Sequence, residues 1–246
     1  MFKIAECWDN GWAEFKMNLK SFGCSFIYGS DLSDTIPNSP SPSSETWPAL
    51  LARHLKREYK CHARPCSGNL RILESVLNLV PTSTKNDLYV IGWTWIDRFD
   101  YYDGHWNHER PAWRTIMPID EDNLSKTYYR DLHSEYRDKL TCLSYMKLVI
   151  DTLDQQNIPF VMTFMDELMF DRRWNVTPGL QLLQDQVQPR MTDFEGHNFL
   201  DWSREHGFAE SPTWHPLEQA HRAAADYMIT VVDKQNTGAL VPQVRA

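Results

Sequence analysis

The sequence predicts an α/β fold of three layers, α/β/α, with a central parallel sheet. Apolar runs at Leu19 to Cys24, Asp87-Leu-Tyr-Val-Ile-Gly92 and Ile158-Pro-Phe-Val-Met-Thr-Phe164 are near-continuous, as strands buried on both faces are. Segments of helical periodicity lie between them, so strand and helix alternate along the chain. A length of 246 residues suits one such domain, 1–246, and the 42% apolar content is enough for its core. The right-handed crossover rule restricts the topology, and a flavodoxin-like order 2-1-3-4-5 is expected.

Each element has its own local reason. Within Met1 to Asn18, Asn10-Gly11 suits a hairpin turn. Leu19 to Cys24 forms the first strand. Asp31 to Glu45, with Pro37, Pro40 and Pro42, is loop. Thr46 is a helix N-cap with Pro48 in the first turn, and Trp47, Leu50, Leu51 and Leu55 follow at helical spacing. A short strand is expected near His62 to Pro65. Ser67-Gly68-Asn69 breaks the chain before a helix with Leu70, Leu73, Val76, Leu77 and Val80 on one face, stopped by Pro81. The strand ending at Gly92 comes next. Residues 93–123 read as a long irregular loop or lid, rich in aromatics and charges. Leu124 to Gln156 is mostly helical, and Ile158 to Phe164 is the fourth strand. Short helical pieces fill Asp166 to Gly207, and Pro216 to Val232 closes the domain as a helix.

Totals exclude some functions. A formal charge of −8 argues against a general nucleic-acid binder. No apolar run approaches the roughly 18 residues that span a bilayer, so no membrane partner is expected. Met1 to Lys20 lacks the basic and apolar regions of a signal peptide, so a cytoplasmic location with reduced thiols is expected. The five cysteines are scattered, and Cys61 and Cys66 have no Cys/His pairs near them in sequence to spell a zinc site. No metal or organic cofactor is expected. Ten tryptophans are unusual; they are core, or platforms for a flat ligand such as a sugar.

The chemistry centres on Lys20-Ser-Phe-Gly-Cys-Ser-Phe-Ile-Tyr-Gly-Ser30. A serine just past a strand end, between Gly23 and Gly29, is placed to stand up from the backbone as a nucleophile. Under the parallel-sheet reading, Ser25, Gly68, Thr94 and His215 all fall on the rim at the carboxyl ends of the strands, where such sheets bind ligands.

These residues resemble the SGNH, or GDSL, hydrolases. The first block is matched by Phe22-Gly-Cys-Ser-Phe-Ile-Tyr-Gly29, the second by Gly68 and the last by His215-Pro216. The wording Phe-Gly-Cys-Ser-Phe and Ile-Gly-Trp-Thr also resembles uncharacterised members found in phage genomes, which would imply a host-cytoplasm or virion setting. The resemblance implies a serine esterase: Ser25 is the nucleophile, His215 the base, and Gly68 an oxyanion donor. Two departures stand out. The block that usually reads Gly-x-Asn-Asp is Gly92-Trp93-Thr94-Trp95 here, so Thr94 or Asn69 would replace the asparagine donor. The aspartate expected three residues before the histidine is Pro212. Glu210 and Asp166 are the candidates for the orienting acid. Trp93, Trp95, Arg98 and Trp214 are candidates for substrate contact, with Arg98 equally suited to an ion pair with its acidic neighbours. The implied substrate is a small-molecule or carbohydrate ester, for instance an O-acetylated sugar. The alternatives are a catalytically weak or inactive fold kept for binding or host interaction, and acyl transfer to an acceptor other than water. The sequence does not specify an oligomeric state.

Overall fold

The computed structural model describes residues 17–35, 41–104 and 112–236. The Asn10-Gly11 turn lies outside the described residues. In chain order the elements are β1 (Asn18–Phe22), α1 (Ser25–Tyr28), α2 (Trp47–His54), β2 (Glu58–Cys61), α3 (Asn69–Leu79), β3 (Leu88–Trp93), β4 (Phe99–Asp103) and β5 (Ala112–Ile116). Then come α4 (Asn123–Thr127), α5 (Glu135–Gln155), β6 (Phe160–Phe164), α6 (Pro178–Val187), α7 (Phe199–Glu205) and α8 (Glu218–Asn236).

Four strands form a parallel sheet in the order β2-β1-β3-β6. These are the first four places of the expected order, and among the described residues no fifth strand joins them. Beyond β6 the chain only touches the edge, where the Thr192 N–H donates to the Met162 carbonyl at 2.7 Å. Side chains alternate across the strands. Leu19, Leu88, Val90 and Val161 pack on one face with α1, α2, α7 and α8. Phe22, Tyr89, Ile91 and Met162 pack on the other with α3, α5 and α6. Two helical layers on a sheet buried on both sides explain why β3 reads as an uninterrupted apolar run; all six of its residues are buried.

Three elements differ from the sequence reading. The second strand lies at Glu58–Cys61, before the expected His62 to Pro65. It is an edge strand that alternates exposed Glu58 and Lys60 with half-buried Tyr59 and Cys61, so it lacks a continuous apolar run. Its pairing extends beyond its end: His62 N–H donates to Ser21 O at 2.7 Å and Arg64 N–H to Gly23 O at 3.0 Å. The 93–123 stretch is not irregular throughout. It folds back as an antiparallel hairpin, β4 on β5, built from Phe, Tyr, Trp, Thr and Ile, which favour strands even among charges. The helical region after it is broken by a π turn at Tyr128–Leu132, and α5 restarts where Ser134 Oγ accepts from Arg137 N–H.

Thr46 caps α2 as expected, accepting from Ala49 N–H at 3.4 Å. The Trp47 N–H in that first turn donates instead to His221 Nδ1 of α8 at 3.1 Å. His221 is 2% exposed, and burial pushes its pKa down to about 3. It is neutral in the fold and binds a proton once unfolded, below an ordinary value of 6.5. The unfolded state thus holds more protons between those two values, so stability is full above the higher one and falls as pH drops toward the lower. From pH 7 to pH 5 this group alone is expected to remove about 2 kcal/mol. Urea denaturation at both pH values checks this against His221→Gln, whose side chain still accepts from Trp47 but does not titrate. Equal losses in the two proteins would refute it.

Candidate active site

The turn that carries Ser25 is held by three glycines and one isoleucine. Cys24 O accepts from Ile27 N–H at 3.1 Å and Tyr28 N–H at 3.0 Å, which closes α1 directly after β1. Ile27 then seats in a notch. A Cβ on Gly23, or on Gly92 in β3, would lie 2.6 Å from Ile27 Cγ1. Gly29 ends the helix at φ 81°, a left-handed conformation that favours glycine, and a Cβ there would meet Ser43 and Thr46 side-chain carbons at 2.5 Å. This packing places Ser25 at the first helical position. Among the described residues, neither its hydroxyl nor its N–H has a hydrogen-bond partner, and the same holds for the Phe26 N–H.

His215 arrives from the loop before α8. Its Nδ1 lies 2.8 Å from Asp31 Oδ2. Asp31 also accepts from the Ser211 hydroxyl at 2.8 Å and from the Thr213 hydroxyl. Ser211 Oγ in turn accepts the His215 and Thr213 N–H groups, both at 3.2 Å. The Thr213 hydroxyl bond, then those from Ser211 and His215, hold the Asp31 carboxyl below its ordinary pKa. With the Nδ1 proton donated to Asp31, Nε2 presents a lone pair.

The carboxylate against His215 Nδ1 is neither of the two candidates named from the sequence. Glu210 pairs with Arg204, Oε1 to Nε at 2.8 Å. Asp166 is buried, and its carboxylate accepts from Ile96 and Leu168 N–H, each at 3.0 Å. Asp31 sits in the loop after the nucleophile turn. Its one local sign is a left-handed φ of 70°, which aspartate tolerates better than most side chains.

The ring of His215 packs on Phe26, the residue after Ser25, with centroids 4.9 Å apart. No hydrogen bond joins Ser25 Oγ to His215. Phe26 meets Trp95 edge-on at 5.5 Å, and the Arg98 guanidinium lies 4.8 Å over Trp95 while donating to Ser67 O at 3.2 Å. Acid, imidazole, Phe26, Trp95, Arg98 and Ser67 thus form one continuous line of contacts along the rim. Trp214, beside His215, is exposed. Trp93 is wholly buried in the core, which removes it from substrate contact.

The oxyanion candidates fare differently. Asn69 is fully used. Its amide donates to Thr94 O at 3.1 Å, Trp95 O at 3.3 Å and Cys142 Sγ at 3.2 Å, and its Oδ1 accepts Thr94 N–H at 2.9 Å. It clamps the end of β3 and has no donor left for a ligand. Thr94 is wholly buried, with no partner for its hydroxyl. Gly68 N–H is engaged by Asp100 Oδ1 at 3.0 Å. That carboxylate, carried on β4, also accepts Arg71 N–H at 2.9 Å and the Thr115 hydroxyl at 2.6 Å, while burial raises its pKa. A Cβ on Gly68 would lie 2.6 Å from Asp100 Oδ2, so the glycine here admits the carboxylate of the hairpin.

A concavity of about 2240 Å³ runs beside β6 and shares Trp95 with this rim, but Ser25 and His215 do not line it. Among the described residues, no three His, Cys, Asp or Glu side chains are grouped to hold a metal ion, and no helix is long and apolar enough to cross a membrane.

No protein-family model matches the chain, and no curated protein matches it. Solved structures do. A G-D-S-L family lipolytic protein from Veillonella parvula aligns over 89% of this chain and 99% of its own, with a TM-score of 0.50 at 11% identity. A carbohydrate esterase family 2 enzyme from Corynascus thermopiles aligns over 91% of this chain and 67% of its own, with a TM-score of 0.49 at 13% identity. The acetyl xylan esterase Est2A from Butyrivibrio proteoclasticus covers 91% and 65%, with a TM-score of 0.48 at 11% identity. At such identities the likeness to the Veillonella protein is one of fold: helices on both faces of a parallel sheet.

Proposed function

We propose that this chain is a serine esterase of SGNH type acting on a short-acyl ester. The observation that carries this reading is the Asp31–His215 pair, set against Phe26 next to a serine whose hydroxyl has no other partner. His215 Nε2 takes the Ser25 proton as Oγ attacks the ester carbonyl. The tetrahedral intermediate collapses, and the alcohol leaves with that proton. Water, deprotonated by the same imidazole, then releases the acid and restores Ser25. A hydrogen bond absent before substrate arrives is compatible with this role, because catalytic contacts often tighten only in the complex. Among the described residues the Ser25 and Phe26 N–H groups are donors without partners, whereas the Thr94 hydroxyl is wholly buried, and each donor aimed at the oxyanion is worth roughly 3 kcal/mol. Trp95 and Trp214 flank the pair and suit a carbohydrate face.

One observation favours a second reading, a binding module without turnover: Asp100 takes the Gly68 N–H that the resemblance assigns to the oxyanion. A fluorophosphonate probe separates the two. The esterase reading expects the folded protein to be labelled at Ser25 and Ser25→Ala to remain unlabelled. Folded wild-type protein that stays unlabelled selects the binding module.

A further inference from the structure

A second concavity, of about 540 Å³, includes Gly23 of the serine turn in its lining but not Ser25, Asp31 or His215. Gly23, His62, Arg64, Arg71, Tyr102 and Trp113 line it. Its volume suits a ligand about the size of one substituted ring. Its charges are unusual for this molecule. Arginines such as Arg190 and Arg204 pair with carboxylates, whereas Arg64 and Arg71 have no ion pair among the described residues. The two repel each other, and Arg71 is held below its ordinary pKa by burial first and by Arg64 second, against a smaller attraction from Asp100 and Glu74. The nearest acid in the lining, Glu74, is occupied by the Asn78 amide at 2.7 Å. His62 lies flat on Phe22 with centroids 5.4 Å apart, and its Nε2 is buried without a partner. Tyr102 and Trp113 form an edge-to-face pair at 5.4 Å on the hairpin wall.

We infer that this cavity binds a ring-bearing ligand with an anionic group, the anion between Arg64 and Arg71 and the ring against Tyr102 and Trp113. Two forks of N–H donors around one site match a carboxylate or a phosphate, and an anion there relieves the repulsion between them. The aromatic pair supplies a face for the ring. Gly23 belongs both to this lining and to the serine turn, two residues before Ser25. That the ligand is the anionic portion of an ester substrate rests on the esterase reading; the binding itself does not.

The test is calorimetric titration of the full chain carrying Ser25→Ala with 4-acetamidobenzoate, phenyl phosphate and the neutral 4-acetamidobenzamide. At least one anion is expected to bind about tenfold more tightly than the neutral ring, with the preference weakening as salt rises. The carboxylate and phosphate arms decide which oxyacid is preferred. Arg64→Gln, at an exposed position, and Arg71→Met are each expected to reduce that preference several-fold while thermal melting shows the fold intact. Trp113→Leu is expected to weaken anion and neutral ring alike. Equal affinities for all three ligands, or no binding of any, would overturn the inference. So would an anion preference that survives both arginine changes. Anion binding by this chain, together with folded wild-type protein that fails to label with fluorophosphonate, would leave this site standing and remove only the esterase reading.

Discussion

Replacing Asp31 by asparagine is expected to lower kcat for p-nitrophenyl acetate roughly 10²- to 10³-fold, with KM little changed. On the esterase reading, the carboxylate holds the imidazole with its proton on Nδ1 and would balance the imidazolium formed as Ser25 attacks. An asparagine amide turned toward Nδ1 donates where the carboxylate accepted, and so favours the wrong tautomer. The loss is set below that of a fully buried triad acid because the Asp31 side chain is 39% exposed and the Thr213 hydroxyl also reaches Nδ1, at 2.8 Å. Glu210→Gln is the internal control. Glu210 is paired with Arg204, so kcat should stay within about twofold. An unchanged rate in Asp31→Asn, or a large loss in Glu210→Gln, would move the orienting role away from Asp31.

Ser25→Ala is expected to remove at least about 10³-fold of the same activity, because no other group takes over as nucleophile. Its effect on folding should be small. The hydroxyl makes no hydrogen bond among the described residues, and the alanine keeps the first position of α1, so unfolding free energies from urea titration are expected to differ by less than about 0.5 kcal/mol. The two readouts together distinguish a lost nucleophile from a lost fold. A variant that hydrolyses the ester as fast as wild type would take Ser25 out of the chemistry.

The serine turn was legible in the sequence because its geometry is local. Gly23, Gly29 and the apolar run before them act within a few residues, and the structure adds only the notch that Ile27 fills. His215 was legible through its place before the closing helix. Asp31 was not, because 184 residues separate it from its partner and nothing in a loop rich in serine and proline marks one aspartate as the partner of a distant histidine. Asn69 was misread for the opposite reason. Its neighbour Gly68 suggested a ligand role, but an amide can donate and accept at once, and this one is consumed by the backbone of Thr94 and Trp95. β2 and the β4–β5 hairpin escaped because their residues lie near solvent, and strand patterns are clearest where burial enforces them.

Asp100 gives the hairpin a say in the chemistry. Its carboxylate and the carbonyl oxygen of a substrate are rivals for the single proton on the Gly68 nitrogen. On the esterase reading, Gly68 would contribute nothing to a developing oxyanion while Asp100 holds its N–H, and would become available only if a bound molecule moved the hairpin. A small ester such as p-nitrophenyl acetate would have nothing with which to displace β4, whereas a larger one pressing on Tyr102 and Trp113 would. Substrate size would then act on the chemical step as well as on affinity, and rates measured with minimal esters would understate the site.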